Sequence, residues 1–74
     1  MKLARVIYRN NNPWRFRDGT KTNPPIGTTV QYERDVNDWY SVYFPGVRGC
    51  ATMSAWTFSR YFKDLDDETG KGDL

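Results

Sequence analysis

Aromatic and arginine side chains are the residues of this sequence whose types and spacing could do chemistry. The 74 residues include three Trp, five Tyr and four Phe. Flat rings stack on bases and on cationic planes, and the planar guanidinium of Arg pairs with carboxylates or phosphates. The pattern therefore predicts binding chemistry, and the candidate ligand-binding residues are Tyr8, Trp14, Arg15, Arg17, Trp39, Tyr43 and Arg48.

Trp39 and Tyr43 form the centre of the predicted binding surface, because strict alternation puts both on the face opposite the core. Tyr8 and Trp14 are expected to join them. In a second interpretation the Pro-rich loop covers this face as additional core, and the nearby Phe16 favours loop packing for the Trp14 indole. The basic residues are either a positive patch for an anion or an ordinary solvated surface; they are Arg5, Arg9, Arg15, Arg17, Lys21 and Arg48.

Composition excludes most enzyme classes. Without His, the chain has no imidazole base, no Ser-His-Asp triad and no His-containing zinc site. Cys50 is single, so the chain can form neither an internal disulfide nor a four-Cys metal site, and its small neighbours predict a buried thiol. We expect a non-catalytic protein that uses no cofactor and no metal.

Charge is distributed unevenly along the chain. Residues 1–60 hold nine Lys/Arg and four Asp/Glu, a balance of +5, whereas residues 61–74 hold two and five, a balance of −3. One domain is predicted at residues 1–65, followed by a disordered acidic tail at residues 66–74. Because no apolar run has signal-peptide or membrane-spanning length, we expect a cytoplasmic protein without membrane contact. A compact chain of this size would suit a virus or mobile element.

The elements that must position these residues are predicted to be short strands. Apolar and polar residues alternate in each of them, and Gly or Pro residues separate them. Ser54 is expected to cap one helical turn that continues to Arg60, and residues 61–65 either extend this region or form a last strand. The predicted strands cover residues 2–9, 14–17, 28–34, 39–44 and 49–53. Such an order favours an all-β fold, a single small barrel of about five antiparallel strands with one short helical turn.

The order of features resembles an SH3-like barrel over residues 4–62. Asp38-Trp39-Tyr40 is similar to the Asp-Trp-Trp that begins the third SH3 strand, and further matches are Ala4 and Tyr8 of the first strand, Gly27 before the second and Gly49 before the fourth. The resemblance implies a long loop at residues 9–26, which here is basic where SH3 domains are acidic. The Pro of the polyproline groove is also missing, so the resemblance implies the fold rather than a polyproline ligand.

These patterns predict a non-catalytic protein-interaction module, an adaptor or inhibitor. Its contact face is centred on Trp39, Tyr43 and Tyr8 and flanked by Arg15 and Arg17, and an acidic segment of a protein partner would suit it. The alternative is a nucleic-acid or nucleotide binder in which the same rings stack on bases while Arg pairs with phosphates. Salt dependence separates the two, because nucleic-acid binding weakens steeply with salt.

Overall fold

The computed structural model describes residues 1–16 and 18–65 and consists mainly of a curled five-stranded antiparallel sheet. The sheet has the strand order β6-β5-β4-β1-β7, and β2 and β3 form a separate hairpin. The elements are β1 (Lys2–Val6), β2 (Trp14–Arg15), β3 (Lys21–Thr22), β4 (Thr29–Arg34), β5 (Trp39–Tyr43), β6 (Ala51–Ser54), α1 (Ala55–Tyr61) and β7 (Phe62–Asp64). The predicted all-β fold with one short helix is confirmed. The predicted acidic tail lies outside the described residues.

Alternation along the strands produces the core. In β4, Val30 and Tyr32 are buried while their neighbours are exposed, as the period of two requires. The concave face of the sheet then carries one contiguous set of buried side chains, Ala4, Val6, Val30, Tyr32, Val42, Phe44, Met53, Phe58 and Phe62. Burial of this set removes apolar surface from water and is the main stabilising term for the fold.

The predicted strands are all shorter in the structure, and β1 and β6 show why. β1 ends at Val6, because the chain that pairs with it turns away there: Gly27 has a φ of +99°, and the Thr28 amide donates to the carbonyl of Pro25. The predicted extension of this strand to residue 9 was therefore wrong, and Tyr8 lies beyond its end with 51% of its surface exposed. β6 begins at Ala51 rather than at residue 49, since Gly49 has a φ of +77°, which no strand allows.

The region after Ser54 is a helix followed by a strand, which decides between the two alternatives left open for residues 61–65. The Ser54 side chain accepts a hydrogen bond from the Thr57 amide and begins α1. Phe62 ends it in an extended conformation, and β7 then pairs with β1. Within residues 1–16 and 18–65, no helix has the length and apolar character that crossing a membrane requires.

Loss of the Ser54 cap is expected to destabilise the protein measurably. Ser54→Ala should lower the free energy of unfolding by about 1 kcal/mol, because an amide in the first turn of α1 loses its acceptor. Ser59→Ala, an exposed position on the same helix, is the control and should change it by less than about 0.5 kcal/mol. Urea denaturation followed by circular dichroism measures both. Equal losses would contradict the capping role.

Candidate functional site

The exposed side of α1 carries an arginine held between two aromatic rings. Trp56 and Arg60 are four residues apart, so they lie on the same side of the helix. The guanidinium carbon of Arg60 is 5.6 Å from the ring centroid of Trp56 and 5.9 Å from that of Tyr61. Trp56 is 71% exposed. A cation over two rings is attracted to both, which restricts the long Arg side chain to one region of the surface.

Tyr8 extends this arrangement beyond the helix. Its ring meets that of Tyr61 edge to face, with centroids 5.8 Å apart. The amide of Ile7 donates to the carbonyl of Tyr61 at 2.9 Å, so the end of β1 is fixed to the end of the helix. Tyr8, Trp56, Arg60 and Tyr61 thus form a continuous line of contacts along α1, which we call the helix strip.

Trp14 anchors the helix strip to the core. Its ring meets Tyr61 edge to face at 5.4 Å between centroids, and its other ring neighbours are Phe44 and Phe62, both at 6.0 Å. Trp14 is half-buried and packs against the buried core. The β2–β3 hairpin, which begins with Trp14, therefore packs against the Tyr61 ring from the side of the core.

Trp39 and Tyr43 lie on the outer face of the sheet, at opposite ends of β5. Four residue steps along the strand, roughly 13 Å, separate their Cα atoms, and Ser41 lies midway between them. Trp39 is 52% exposed and faces Ser54 in the strand register, whereas Tyr43 is half-buried and faces Gln31. The two rings share a face, as predicted, but they do not form one contact surface with Tyr8, which lies at the other end of α1.

Tyr43 lies in a polar neighbourhood that alters its ionisation. Its hydroxyl is 3.5 Å from a carboxylate oxygen of Glu33. The negative charge of Glu33 is the main reason that the pKa of Tyr43 is raised above its usual value, with smaller contributions from burial and from Cys50. The Cys50 side chain is half-buried, so the predicted full burial of this thiol was wrong. It lies in the loop before β6, outside the core.

Two of the three predicted arginines, Arg15 and Arg48, are described by the structure, and they lie on different elements. Arg15 is exposed on β2 opposite Lys21, and Arg48 borders a separate surface depression of about 440 Å³ together with Asp18 and Cys50. Arg17 lies outside the described residues. Because Phe16 and Asp18 of the β2–β3 hairpin also line this depression, the loop before β6 lies next to the hairpin.

The sequence prediction missed Trp56, Arg60 and Tyr61 as functional residues, although it included the first two in a helical turn. The available signal was the spacing of Trp and Arg by four residues in a helix whose middle residue, Phe58, is buried. No such signal exists for the pairing of Tyr8 with Tyr61, because it arises only from the folded sheet.

Among the residues that the structure describes, no group of three or more Cys, Asp or Glu side chains could hold a metal ion. Comparisons with protein-family models, curated proteins and solved structures found no match to this chain. A function must therefore be inferred from the geometry of the described residues.

Proposed function

We propose that this chain is a non-catalytic protein-interaction module whose contact surface is the helix strip. The observation that carries the proposal is the exposed Trp56 ring with the Arg60 guanidinium between it and Tyr61. Trp, Tyr and Arg are the residue types that most often dominate the energy of protein interfaces. An Arg already restrained by two rings loses less entropy on binding than a free one.

The order of elements supports an SH3-like barrel as the framework. The resemblance implies a long loop after the first strand and a short helical segment before the last one. Between β1 and β4 the chain forms the β2–β3 hairpin, and α1 connects β6 to β7, which agrees with both features. In this proposal the helix strip occupies the helical segment between the last two strands.

The non-catalytic and cytoplasmic parts of the proposal rest on composition. The chain has no His to act as a general base near neutral pH and one Cys that has no internal disulfide partner. The exposed cation of the helix strip contacts aromatic rings rather than a nucleophile or an acid. Such a surface has the residue types that recognise a partner.

A protein partner is favoured over nucleic acid by the distribution of charge. Nucleic-acid binding needs several cations along one track of phosphates. Here the described basic residues are spread over many elements: Lys2 and Arg5 on β1, Arg9 in the loop after it, Arg15 and Lys21 on the hairpin, Arg34 on β4, Arg48 in a loop, Arg60 on α1 and Lys63 on β7. Two pairs of them, Arg5 with Lys63 and Arg15 with Lys21, face each other across paired strands. Arg34 is moreover paired with Asp38 at 2.8 Å.

A random peptide library displayed on phage and selected on the folded chain tests the proposal. We expect selected peptides to bind and to shift the indole N–H signal of Trp56 and the ring signals of Tyr8 and Tyr61 in NMR titrations. Trp56→Ala should weaken the binding of these peptides by roughly tenfold or more, as expected for an interface hot spot. Trp39→Ala is the matched control, because Trp39 is a second exposed indole that lies on β5 and not on α1.

Two results would contradict the proposal. One is the failure of any peptide to bind through the helix strip, including the case in which Trp39→Ala, and not Trp56→Ala, abolishes binding. The other is tight binding of a short single-stranded oligonucleotide to the same rings with a steep dependence on salt, which would establish the nucleic-acid alternative.

A further inference from the structure

We infer that Arg60 is the receptor for a carboxylate, so that the ligand of the helix strip is an acidic peptide segment with an apolar side chain beside the acid. The inference rests on the proposed function and adds the chemistry of the partner. The proposed contact is a pair of opposite charges across the interface. Arg60 supplies the positive charge, and a carboxylate of the partner supplies the negative one.

The first step is the state of Arg60. Within residues 1–16 and 18–65 no carboxylate forms an ion pair with its guanidinium, and α1 has no acidic residue in its first turn. Arg34 is different, because Asp38 neutralises it. A guanidinium carries five N–H donors and no acceptor. Arg60 thus presents donors that contacts to the rings of Trp56 and Tyr61 do not satisfy.

The second step is geometry. Contacts with the rings of Trp56 and Tyr61, whose centroids are 5.6 and 5.9 Å from the guanidinium carbon, restrict the position of the Arg60 side chain. The N–H donors of the guanidinium lie in its plane and point outward from its edge. A carboxylate matches this edge with two parallel hydrogen bonds, the strongest pairing that Arg makes. Neighbouring rings exclude water from part of the pair, which strengthens the attraction. A Lys would offer a point charge without this fork.

The third step concerns the residues next to the acid. Trp56 is exposed on one side of Arg60, and the half-exposed ring of Tyr8 lies beyond Tyr61 on the other. The seven residues of α1 span about 10 Å, which an extended segment of three or four residues covers. An acid at the centre of such a segment can therefore bind Arg60 while an adjacent apolar side chain contacts Trp56 or Tyr8.

Long-range electrostatics favours the same class of partner. The whole chain has a net charge of +2, so an acidic segment is weakly attracted to it before contact. The resulting expectation is a ligand defined by one positioned carboxylate and one apolar neighbour, rather than by a high total negative charge.

The experiment compares variants of Arg60 with the peptides selected on the wild-type chain. We expect the selected peptides to share an Asp or Glu next to an apolar residue. Arg60→Gln should weaken them by roughly tenfold to a hundredfold, the size measured for charged pairs at interfaces, and Arg60→Lys should restore part of the loss. Arg48→Gln removes the same charge from an exposed loop position outside the strip and should change affinity less than about threefold.

Changing the peptide completes the test. Replacing its acid by the amide should weaken binding to the wild-type chain but not to Arg60→Gln, because the pair is then already broken. Heteronuclear NMR spectra of each variant verify that the fold is retained. Peptides that bind through Trp56 without any acid, or equal losses in Arg60→Gln and Arg48→Gln, would overturn the inference while leaving the proposed function standing. Absence of any bound peptide would overturn both.

Discussion

Replacing Phe58 by Ala is expected to lower the free energy of unfolding by about 3–5 kcal/mol, a large part of the stability of a domain of this size. Phe58 is 4% exposed and has ring neighbours on three sides, Tyr40 at 4.2 Å, Tyr32 at 4.7 Å and Phe62 at 5.3 Å between centroids. Removing the ring leaves a cavity among three aromatic side chains that cannot collapse into it without moving strands of the sheet.

Trp56→Ala is the matched control for this prediction. It removes a larger ring from the same helix, two residues away, yet Trp56 is 71% exposed and contributes little burial. We expect its effect on the free energy of unfolding to stay within about 0.5 kcal/mol. Urea denaturation followed by circular dichroism measures both variants without depending on Trp fluorescence. A loss for Trp56→Ala as large as that for Phe58→Ala would mean that the helix strip is core and not a free surface.

Breaking the hydrogen bond between Tyr32 and Asp64 is expected to cost about 1–3 kcal/mol. The Tyr32 hydroxyl donates to a carboxylate oxygen of Asp64 at 2.6 Å, and the Tyr32 side chain is 3% exposed. This bond joins β4 to β7 across the intervening β1. Asp64→Ala should destabilise the protein because a mostly buried hydroxyl loses a charged acceptor, and bonds to charged groups are the stronger ones.

A double-mutant cycle isolates the contribution of this bond. Tyr32→Phe removes the donor while keeping the ring, and the combined variant should lose clearly less stability than the sum of the two single losses. Denaturant midpoints of the four proteins provide the measurement. If the losses in the free energy of unfolding were strictly additive, Tyr32 and Asp64 would stabilise the fold independently. The hydrogen bond between them would then contribute nothing measurable to stability.

Much of the framework could be predicted from local pattern. Val30 and Tyr32 in β4, and Tyr40 and Val42 in β5, are two residues apart and so share the inner face of their strand. This spacing could be recognised in the sequence because side chains of a strand repeat every two residues. Ser54 marks the start of the helix for a reason equally local, the need of the first amides for an acceptor. In each case, the residues that decide the structure lie within a few positions of one another.

The helix strip could not be predicted in the same way. Tyr8 and Tyr61 are far apart in sequence, and their rings meet because β1 pairs with β7. Similarly, alternation alone predicted that the first strand extends to residue 9, whereas the turn in its partner chain, closed by the hydrogen bond from Thr28 to Pro25, ends it at Val6. Both features, the contact between Tyr8 and Tyr61 and the end of β1, depend on the tertiary structure. A pattern read over a few neighbouring residues cannot predict them.

The position of β1 between β4 and β7 also governs when this protein can fold. Its first strand needs Phe62–Asp64 as a neighbour, so a nascent chain on the ribosome cannot complete the sheet until the last described strand has been synthesised. Until then, the edge of β1 that faces β7 is an open template for other strands. Contacts between distant parts of the chain also slow folding, so the sheet forms on the millisecond-to-second scale typical of small all-β domains.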